Sequence, residues 1–398
     1  MVDAIDHGRR PVSGPALADG QEETDPIGAC PGIRLEHDFD SADPGLNQEL
    51  RDGWGPVYGV WEGYASDEKI RWAGSSGGAA TALSLYCLES LGMRGVLHTA
   101  ARADAPYLNH TVFSTNRKEL AERTGSRYAP ASPCDGLEQI ERATGPCVFI
   151  GKPCDVAALS MARRLRPSLD EKVGLAIAFF CAGTPSTRGT LELLRSVGVS
   201  DVGAIESVRY RGNGWPGRWT VRYRTESGAK EVSLTYAESW AFLQKYRQWR
   251  CYICPDHTGE FADVSVGDPW YRPIDSGDPG RSLIVARTRR GVEYVRRAEE
   301  QGFLVLEQSG PHLLPASQPN LLDSRARLWG QLLTLRMLGV AVPKFRGFPM
   351  FALWLRRLSV VAKIRSVTGT AKRVITKRLR VPIEYAAPAA AVPGEGPR

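Results

Sequence analysis

Four of the eight cysteines in this 398-residue chain lie where a metal group could form. Cys251 and Cys254 form a C-x-x-C pair followed by loop residues, a context that favours a metal-binding loop over a redox dithiol. Cys154 and Cys181 each follow a predicted buried strand. The carboxyl ends of parallel strands share one edge of a sheet, so both thiols should emerge at that edge. If the C-x-x-C loop folds over the same edge, four thiolates meet.

Four thiolates suit either a tetrahedral zinc ion or a 4Fe–4S cluster. Structural zinc sites usually draw on two close cysteine pairs, so a site built from two core strands and a distant loop favours a cluster. Alternatively, Cys154 and Cys181 are core residues and only the C-x-x-C pair binds anything. The other four cysteines are predicted to pack in the core or to lie in loops: Cys30, Cys87, Cys134 and Cys147.

A glycine-rich loop, Ser75-Ser76-Gly77-Gly78, precedes a predicted helix and is called the glycine loop below. Glycines let the backbone approach a ligand, and hydroxyl and N–H groups at a helix start suit phosphate. The loop matches neither of the common nucleotide-binding patterns, and a turn with a serine capping the helix is the alternative. After the C-x-x-C pair, His257 is a candidate proton donor or a hydrogen-bonding support. Asp263 and Asp268 are expected to hold this region in place.

The elements that must position these residues follow two patterns. Residues 54–205 alternate strand and helix signals, which predicts an α/β domain with a mostly parallel core sheet and flanking helices. Residues 206–327 read as an α+β domain with a hairpin signal at Asn213-Gly214. An irregular arm over residues 1–53 and a basic helical tail over residues 328–398, ending in a disordered segment, complete the predicted division.

Composition limits the classes of function. The chain is 42% hydrophobic and 24% charged, which excludes wholesale disorder. No apolar run reaches the ~20 residues of a membrane span and no signal-peptide pattern is visible, so we expect a cytoplasmic protein. Residues 331–380 hold twelve Lys or Arg and no Asp or Glu. The rest of the chain is net negative and shows no nucleic-acid footprint. This tail suits an anionic membrane surface or an acidic partner, or is a solvated basic face.

Six short segments, in order over about residues 70–330, resemble the coenzyme F420 hydrogenase/dehydrogenase beta-subunit family. They are AGSSGG at 73–78, RYAP at 127–130, FIGKPCD at 149–155, FFCAGTPS at 179–186, CYICPD at 251–256 and ADVSVGD at 262–268. The resemblance implies an iron–sulfur flavoprotein oxidoreductase that carries FAD and one 4Fe–4S cluster. It implies that the four cysteines singled out above are the cluster ligands and that the glycine loop contacts the flavin.

The resemblance leaves the substrate and the electron carrier open. A donor protein such as a ferredoxin, the deazaflavin coenzyme F420 and a nicotinamide are the expected carriers, with an unidentified small-molecule substrate. Lys152 stands where the family usually has Thr. It either pairs with an anion, which would be a flavin phosphate or an acidic substrate, or is an exposed surface residue. The alternatives are a non-catalytic electron-transfer subunit and a partner subunit with structural zinc.

Overall fold

The structure is a computed structural model that describes residues 2–6, 8–10, 26–275 and 277–381. The strands in this part of the chain are β1 Val2–Ala4, β2 Gly8–Arg10, β3 Arg34–Glu36, β4 Gly59–Ala65, β5 Val96–Ala101, β6 Asn109–Ser114, β7 Cys147–Gly151, β8 Val173–Phe179, β9 Ile205–Arg209, β10 Arg218–Thr225, β11 Gly228–Thr235, β12 Val264–Gly267, β13 Ser282–Ala286, β14 Leu304–Ser309 and β15 Lys344–Arg346.

The α-helices lie between and after these strands. They are α1 Glu68–Ala73, α2 Ala79–Glu89, α3 Arg117–Glu122, α4 Leu137–Glu141, α5 Pro153–Leu165, α6 Pro167–Lys172, α7 Thr187–Ser196, α8 Tyr236–Leu243, α9 Trp249–Tyr252, α10 Arg289–Glu300, α11 Leu313–Ser317, α12 Leu321–Met337, α13 Met350–Arg357 and α14 Val360–Thr376.

A central sheet has the strand order β14-β4-β13-β12-β8-β7-β5-β6. Its inner strands β12, β8, β7 and β5 are parallel, while β13, β4, β14 and β6 add antiparallel pairs on the two sides. The α/β fold with a parallel core and flanking helices is therefore confirmed. Strand β4 runs in the same direction as the four parallel strands, so all five end at one edge.

The core strands are buried because helices cover both faces of the sheet, the arrangement expected for parallel strands. On one face, Val148 and Ile177 pack with Leu83 of α2 and Val295 of α10. On the other face, alternate residues of the same strands pack against α5. The buried pattern of β7 and β8 follows from this two-sided cover.

A smaller sheet, β11-β10-β9, packs with α7 and α8. Strands β9 and β10 are antiparallel, as the hairpin signal predicts, and β11 is an additional strand that the sequence patterns did not reveal. The central sheet takes strands from both sides of residue 205, so the two predicted central segments share one sheet. The four-part division of the chain stays a prediction.

The predicted basic tail, residues 328–398, contains most of helix α12 and all of α13 and α14. Leu328 and Leu332 of α12 pack with Val374 of α14 and with Ile253 of the C-x-x-C segment. No helix over the described residues is long and apolar enough to cross a membrane. The predicted disordered end at residues 386–398 lies outside the described residues, as do residues 11–25 of the predicted arm.

Candidate functional site

The residues singled out by the sequence lie along the edge where β4, β12, β8, β7 and β5 end. Cys154 follows β7, at the start of α5, and Cys181 follows β8. Asp268 comes directly after β12, and the glycine loop follows β4 through α1. Because β4 is three strand positions from β8, the two ends of the site are separated by roughly 14 Å at ~4.8 Å per strand. The predicted emergence of Cys154 and Cys181 at one edge is confirmed.

The C-x-x-C pair reaches this edge because the chain before it is tied to the turn after β8. Pro185 and Arg247 form an antiparallel bridge, and Arg247 donates from Nη1 to the Ala182 carbonyl at 2.9 Å. Gly183 has φ +114°, and a Cβ there would lie 3.1 Å from Cβ of Cys251 and 2.7 Å from Cδ of Arg247. Glycine therefore lets the Cys251 segment lie directly against the turn that carries Cys181.

The four thiols are close enough to act on one another electrostatically. Burial, followed by the charge of Asp155, raises the pKa of Cys154 well above its ordinary value, and Cys181 and Cys254 raise it further. Burial and the neighbouring Cys251 raise the pKa of Cys181 to about 11. Burial raises the pKa of Cys254 to about 12, with Asp256 and Cys181 as additional causes. The Cys154, Cys181 and Cys254 thiols therefore resist deprotonation, and deprotonating them together requires a compensating positive charge.

Backbone groups are directed at the sulfurs. Gly183 donates its N–H to Sγ of Cys181 at 3.4 Å, and Thr184 donates to Sγ of Cys251 at 3.3 Å. Such N–H···S contacts are among those that tune the potential of iron–sulfur clusters. Over the residues that the structure describes, no group of three or more His, Cys, Asp or Glu side chains is placed to hold a metal ion. The mutual electrostatic effects of the cysteines nevertheless make the four sulfurs neighbours.

His257 and Lys152 flank the cysteines and both have partners. The His257 imidazole Nδ1 lies 2.9 Å from the Cys181 carbonyl oxygen, and the Cys181 N–H donates to the His257 carbonyl at 2.9 Å. His257 therefore braces the turn that carries Cys181, and its catalytic role stays a prediction. Burial alone would lower the pKa of Lys152, but Asp155 and Cys154 raise it above its ordinary value. Its Nζ donates to Oδ2 of Asp155 at 2.6 Å and lies half-buried.

The glycine loop is tightly packed at the other end of the edge. Gly77 and Gly78 have φ of +75° and +73°, and a Cβ on Gly77 would lie 2.8 Å from Cα of Arg281. Ser75 accepts the Ser126 N–H on its hydroxyl oxygen at 2.7 Å, while Ser76 is partly exposed. Gly78 is the N-cap of α2 and provides no side-chain cap for the first helical amides. These amides leave the glycine loop suited to an anion, although flavin contact stays a prediction.

A buried ion pair beneath the glycine loop is a feature that the sequence analysis missed. Arg211 donates to both carboxylate oxygens of Asp268, at 2.7 and 2.9 Å, and to the Ser75 carbonyl at 2.7 Å. Trp215 also donates to Asp268, from Nε1 at 2.8 Å. The sequence analysis placed Arg211 at the end of a predicted strand, immediately before the hairpin turn, whereas the observed strand β9 ends at Arg209.

Aromatic rings surround this ion pair. The Arg211 guanidinium lies 4.6 Å from the Tyr236 ring centroid, and Tyr236 stacks on Trp270 with centroids 5.4 Å apart. Trp215 packs on the other side of Trp270 at 5.4 Å. Asp268 thus positions the Arg211 and Trp215 side chains, whereas the sequence analysis expected it to hold the C-x-x-C loop through backbone N–H contacts. Asp263 accepts the Ala176 N–H at 2.9 Å at the opposite edge of the sheet, so it braces strand β8 there and not the C-x-x-C loop.

Two family profiles match most of the sheet and its edge. Both describe the beta subunit of coenzyme F420 hydrogenase/dehydrogenase: residues 60–137 match the profile of its N-terminal part, and residues 146–311 match the profile of its C terminus. Together they span more than half of the chain. This chain belongs to the coenzyme F420 hydrogenase/dehydrogenase beta-subunit family. The resemblance proposed from the short segments is confirmed, and helices α12 to α14 lie beyond both profiles.

Relatives of this family member share modest identity with it. It is 23% identical over 244 residues to coenzyme F420 hydrogenase subunit beta of Methanosarcina barkeri, covering 60% of this chain and 78% of that protein. It is 24% identical over 276 residues to F420-dependent formate dehydrogenase 1 subunit beta of Methanococcus maripaludis, covering 68% of this chain and 65% of that protein.

A solved structure shares the fold. A chain of the F420-reducing NiFe hydrogenase complex from Methanosarcina barkeri superimposes with a TM-score of 0.55 and 21% identity. The match covers 76% of this chain and 97% of that chain.

Proposed function

We propose that this family member is an iron–sulfur flavoprotein oxidoreductase that moves electrons between a reduced carrier and an unidentified small-molecule substrate. The observation that carries the proposal is the shared edge of the central sheet. There the turns after β7 and β8 and the C-x-x-C segment bring four cysteines together, with the glycine loop on the same edge. Coenzyme F420 is the proposed carrier because the relatives' names specify it. A ferredoxin or a nicotinamide would be the alternatives.

The cysteines suit a 4Fe–4S cluster by their chemistry. A cluster takes one thiolate on each iron, so its four ligands need not converge on a single point as they would around zinc. Binding would require Cys154, Cys181, Cys251 and Cys254 as thiolates, and the metal charge would offset the cost of holding these negative charges close together.

The glycine loop suits the phosphate part of a flavin. The first amides of α2 lack a side-chain cap. Behind the loop, Arg209 donates from Nη2 to the Ala73 carbonyl at 2.7 Å, and its buried Nε has no hydrogen-bond partner among the described residues. An uncapped helix start backed by this cation favours an anion. The Arg211–Asp268 pair would hold the loop in shape, since Arg211 binds the Ser75 carbonyl.

The two groups supply complementary chemistry when bound, because a flavin exchanges electron pairs as hydride and a cluster exchanges single electrons. The chain's own residues would perform the remaining tasks. His257 holds the Cys181 turn through Nδ1, and as a proposed proton donor it would act from Nε2. Lys152 and its partner Asp155 set the local charge beside Cys154. The Gly183 and Thr184 amides stabilise the thiolates.

Anaerobic purification followed by iron, sulfide, zinc and flavin analysis tests this function. We expect about four iron and four sulfide with one flavin per chain. Cys181→Ser should abolish iron binding, whereas Cys147→Ser, at a buried core position, should retain it. Bleaching of the flavin absorbance by reduced F420 would support the proposed carrier. Stoichiometric zinc without iron or flavin would overturn the oxidoreductase proposal and indicate a structural partner subunit.

A further inference from the structure

Helix α14 buries small polar side chains and exposes aliphatic ones, which reverses the usual pattern for a helix in a folded domain. Its buried face contains Ser366 and Thr370 together with Val374. The inner face lies so close to α12 that a Cβ on Gly330 would be 2.3 Å from Oγ of Ser366. The hydroxyls are satisfied locally, since Thr370 donates to the Ser366 carbonyl at 2.7 Å. Small polar residues therefore mediate the contact with the rest of the chain.

The outer face of α14 is aliphatic. Val360, Ile364, Val367 and Ile375 are 70%, 56%, 37% and 76% exposed. Their spacing of four, three and eight residues places them in one stripe along a helix about 25 Å long. The preceding helix α13 adds exposed Phe351 and Leu355. An aliphatic stripe of this length on the outside of a helix indicates a surface that something else covers.

The charges beside the stripe specify what covers it. Arg365 and Lys372 are exposed on α14, next to the aliphatic stripe. They belong to the twelve cations of residues 331–380, a segment without a single acid. A helix with an apolar stripe bordered by Lys and Arg is the type that lies in the interface of an anionic bilayer.

We propose that α14, with the outer residues of α13, docks this protein on an anionic membrane surface. The surface comprises the stripe Val360, Ile364, Val367 and Ile375, with Arg365 and Lys372 beside it. The docking proposal does not rest on the proposed redox function, because α13 and α14 lie beyond the residues that match the family profiles.

The opposite side of the same helix contacts the C-x-x-C segment. The Arg373 guanidinium carbon and Nζ of Lys377 lie 5.8 and 5.4 Å from the Tyr252 ring centroid, and Val374 packs in one cluster with Ile253. Arg325 of α12 donates from Nε to the Pro255 carbonyl at 3.0 Å. Docking through the outer face would therefore hold the cysteine end of the site close to the lipid surface.

Vesicle sedimentation of the full chain tests the proposal. We expect binding to phosphatidylcholine vesicles containing about a third phosphatidylglycerol, weak binding to pure phosphatidylcholine, and release by high salt. Arg365→Gln with Lys372→Gln should weaken binding about 25-fold, since each basic residue near such a surface contributes about fivefold. Ile364→Glu should weaken it about tenfold or more, through loss of a buried aliphatic side chain.

Matched controls separate this surface from general charge and hydrophobicity. Leu165→Glu changes an aliphatic residue of similar exposure, 54%, on α5, and Lys118→Gln removes an exposed cation from α3. Both should bind vesicles like the unaltered chain. Failure of the unaltered chain to bind anionic vesicles, or binding unchanged by the α14 substitutions, would overturn the proposal. A dimer that Ile364→Glu converts to a monomer would also overturn it, because a second copy would then cover the stripe.

Discussion

At the cysteine end of the sheet edge, the thiols of Cys154, Cys181 and Cys254 have raised pKa values, and the charge of one thiolate disfavours the next. At the glycine-loop end, the buried Arg211 is paired with Asp268 and the Ser75 hydroxyl has a backbone partner. The cysteine end therefore holds side chains whose reactive form requires a bound positive group. The glycine-loop end provides shape and backbone amides. One edge thus combines a cysteine end, which depends on side-chain chemistry, with a glycine-loop end, which depends on packing.

Breaking the ion pair under the glycine loop should have the largest effect. Arg211→Met should lower the free energy of unfolding by about 3–5 kcal/mol, because it leaves the Asp268 carboxylate without its buried partner. Arg224→Met is the control, since its pair with Glu206 is on the surface and should contribute less than ~1 kcal/mol. Denaturant unfolding measures both. Equal losses would contradict the claim that the loop end depends on internal packing.

Lowering the pH should destabilise the fold through His98, which lies at neither the cysteine end nor the glycine-loop end of the sheet edge. Burial lowers the pKa of His98 to about 4, and its Nε2 lies 2.8 Å from the Ser114 hydroxyl oxygen. In the unfolded chain the His98 imidazole binds a proton near pH 6.5, whereas in the folded chain it does so only near pH 4. The contribution of neutral His98 to the free energy of unfolding is therefore complete above pH 6.5 and is lost as the pH decreases toward 4. The expected total is about 3 kcal/mol. Unfolding measured against pH for His98→Asn should lack this contribution, and an unchanged pH slope would refute it.

Two glycine substitutions separate packing from backbone strain. Gly77 and Gly92 both have positive φ, +75° and +62°, but only Gly77 has backbone atoms where a Cβ would be placed. Gly92→Ala should cost about 1–2 kcal/mol from strain alone. Gly77→Ala should cost a further ~1–3 kcal/mol from overpacking. Thermal or denaturant unfolding gives the difference, and identical losses would show that the loop can move to accept a side chain.

The smallest stability effect is expected at the cysteine end. Lys152→Thr removes a partly exposed ion pair and should change the free energy of unfolding by ~1 kcal/mol or less. If the proposed cluster is present, its reduction potential should become more negative, because a nearby positive charge that favours the reduced form is lost. Redox titration followed by absorbance measures this shift. Lys118→Thr should leave the potential unchanged, and an unchanged potential in Lys152→Thr would show that Lys152 does not act on the cysteines.

The fold was predictable where hydrophobic pattern and strand order agree. The predicted helix after the glycine loop and the predicted buried strands before Cys154 and Cys181 are present. The extra strand β11 was missed because its residues are mostly exposed and carry little apolar alternation. Cofactors, carrier, substrate and cytoplasmic location stay predictions, since they depend on molecules that the fold alone does not specify.

The sequence by itself determined the family, the parallel core and the convergence of Cys154 and Cys181. Local patterns are sufficient for these features, because strand direction places both residues at the same edge. Only the tertiary structure showed that Arg211 pairs with Asp268, 57 residues away, and that Arg325 joins helix α12 to the C-x-x-C segment. The orientation of α14 was also decided there. Composition predicts a basic helix, but only packing determines that its hydroxyls face inward and its aliphatic residues face outward.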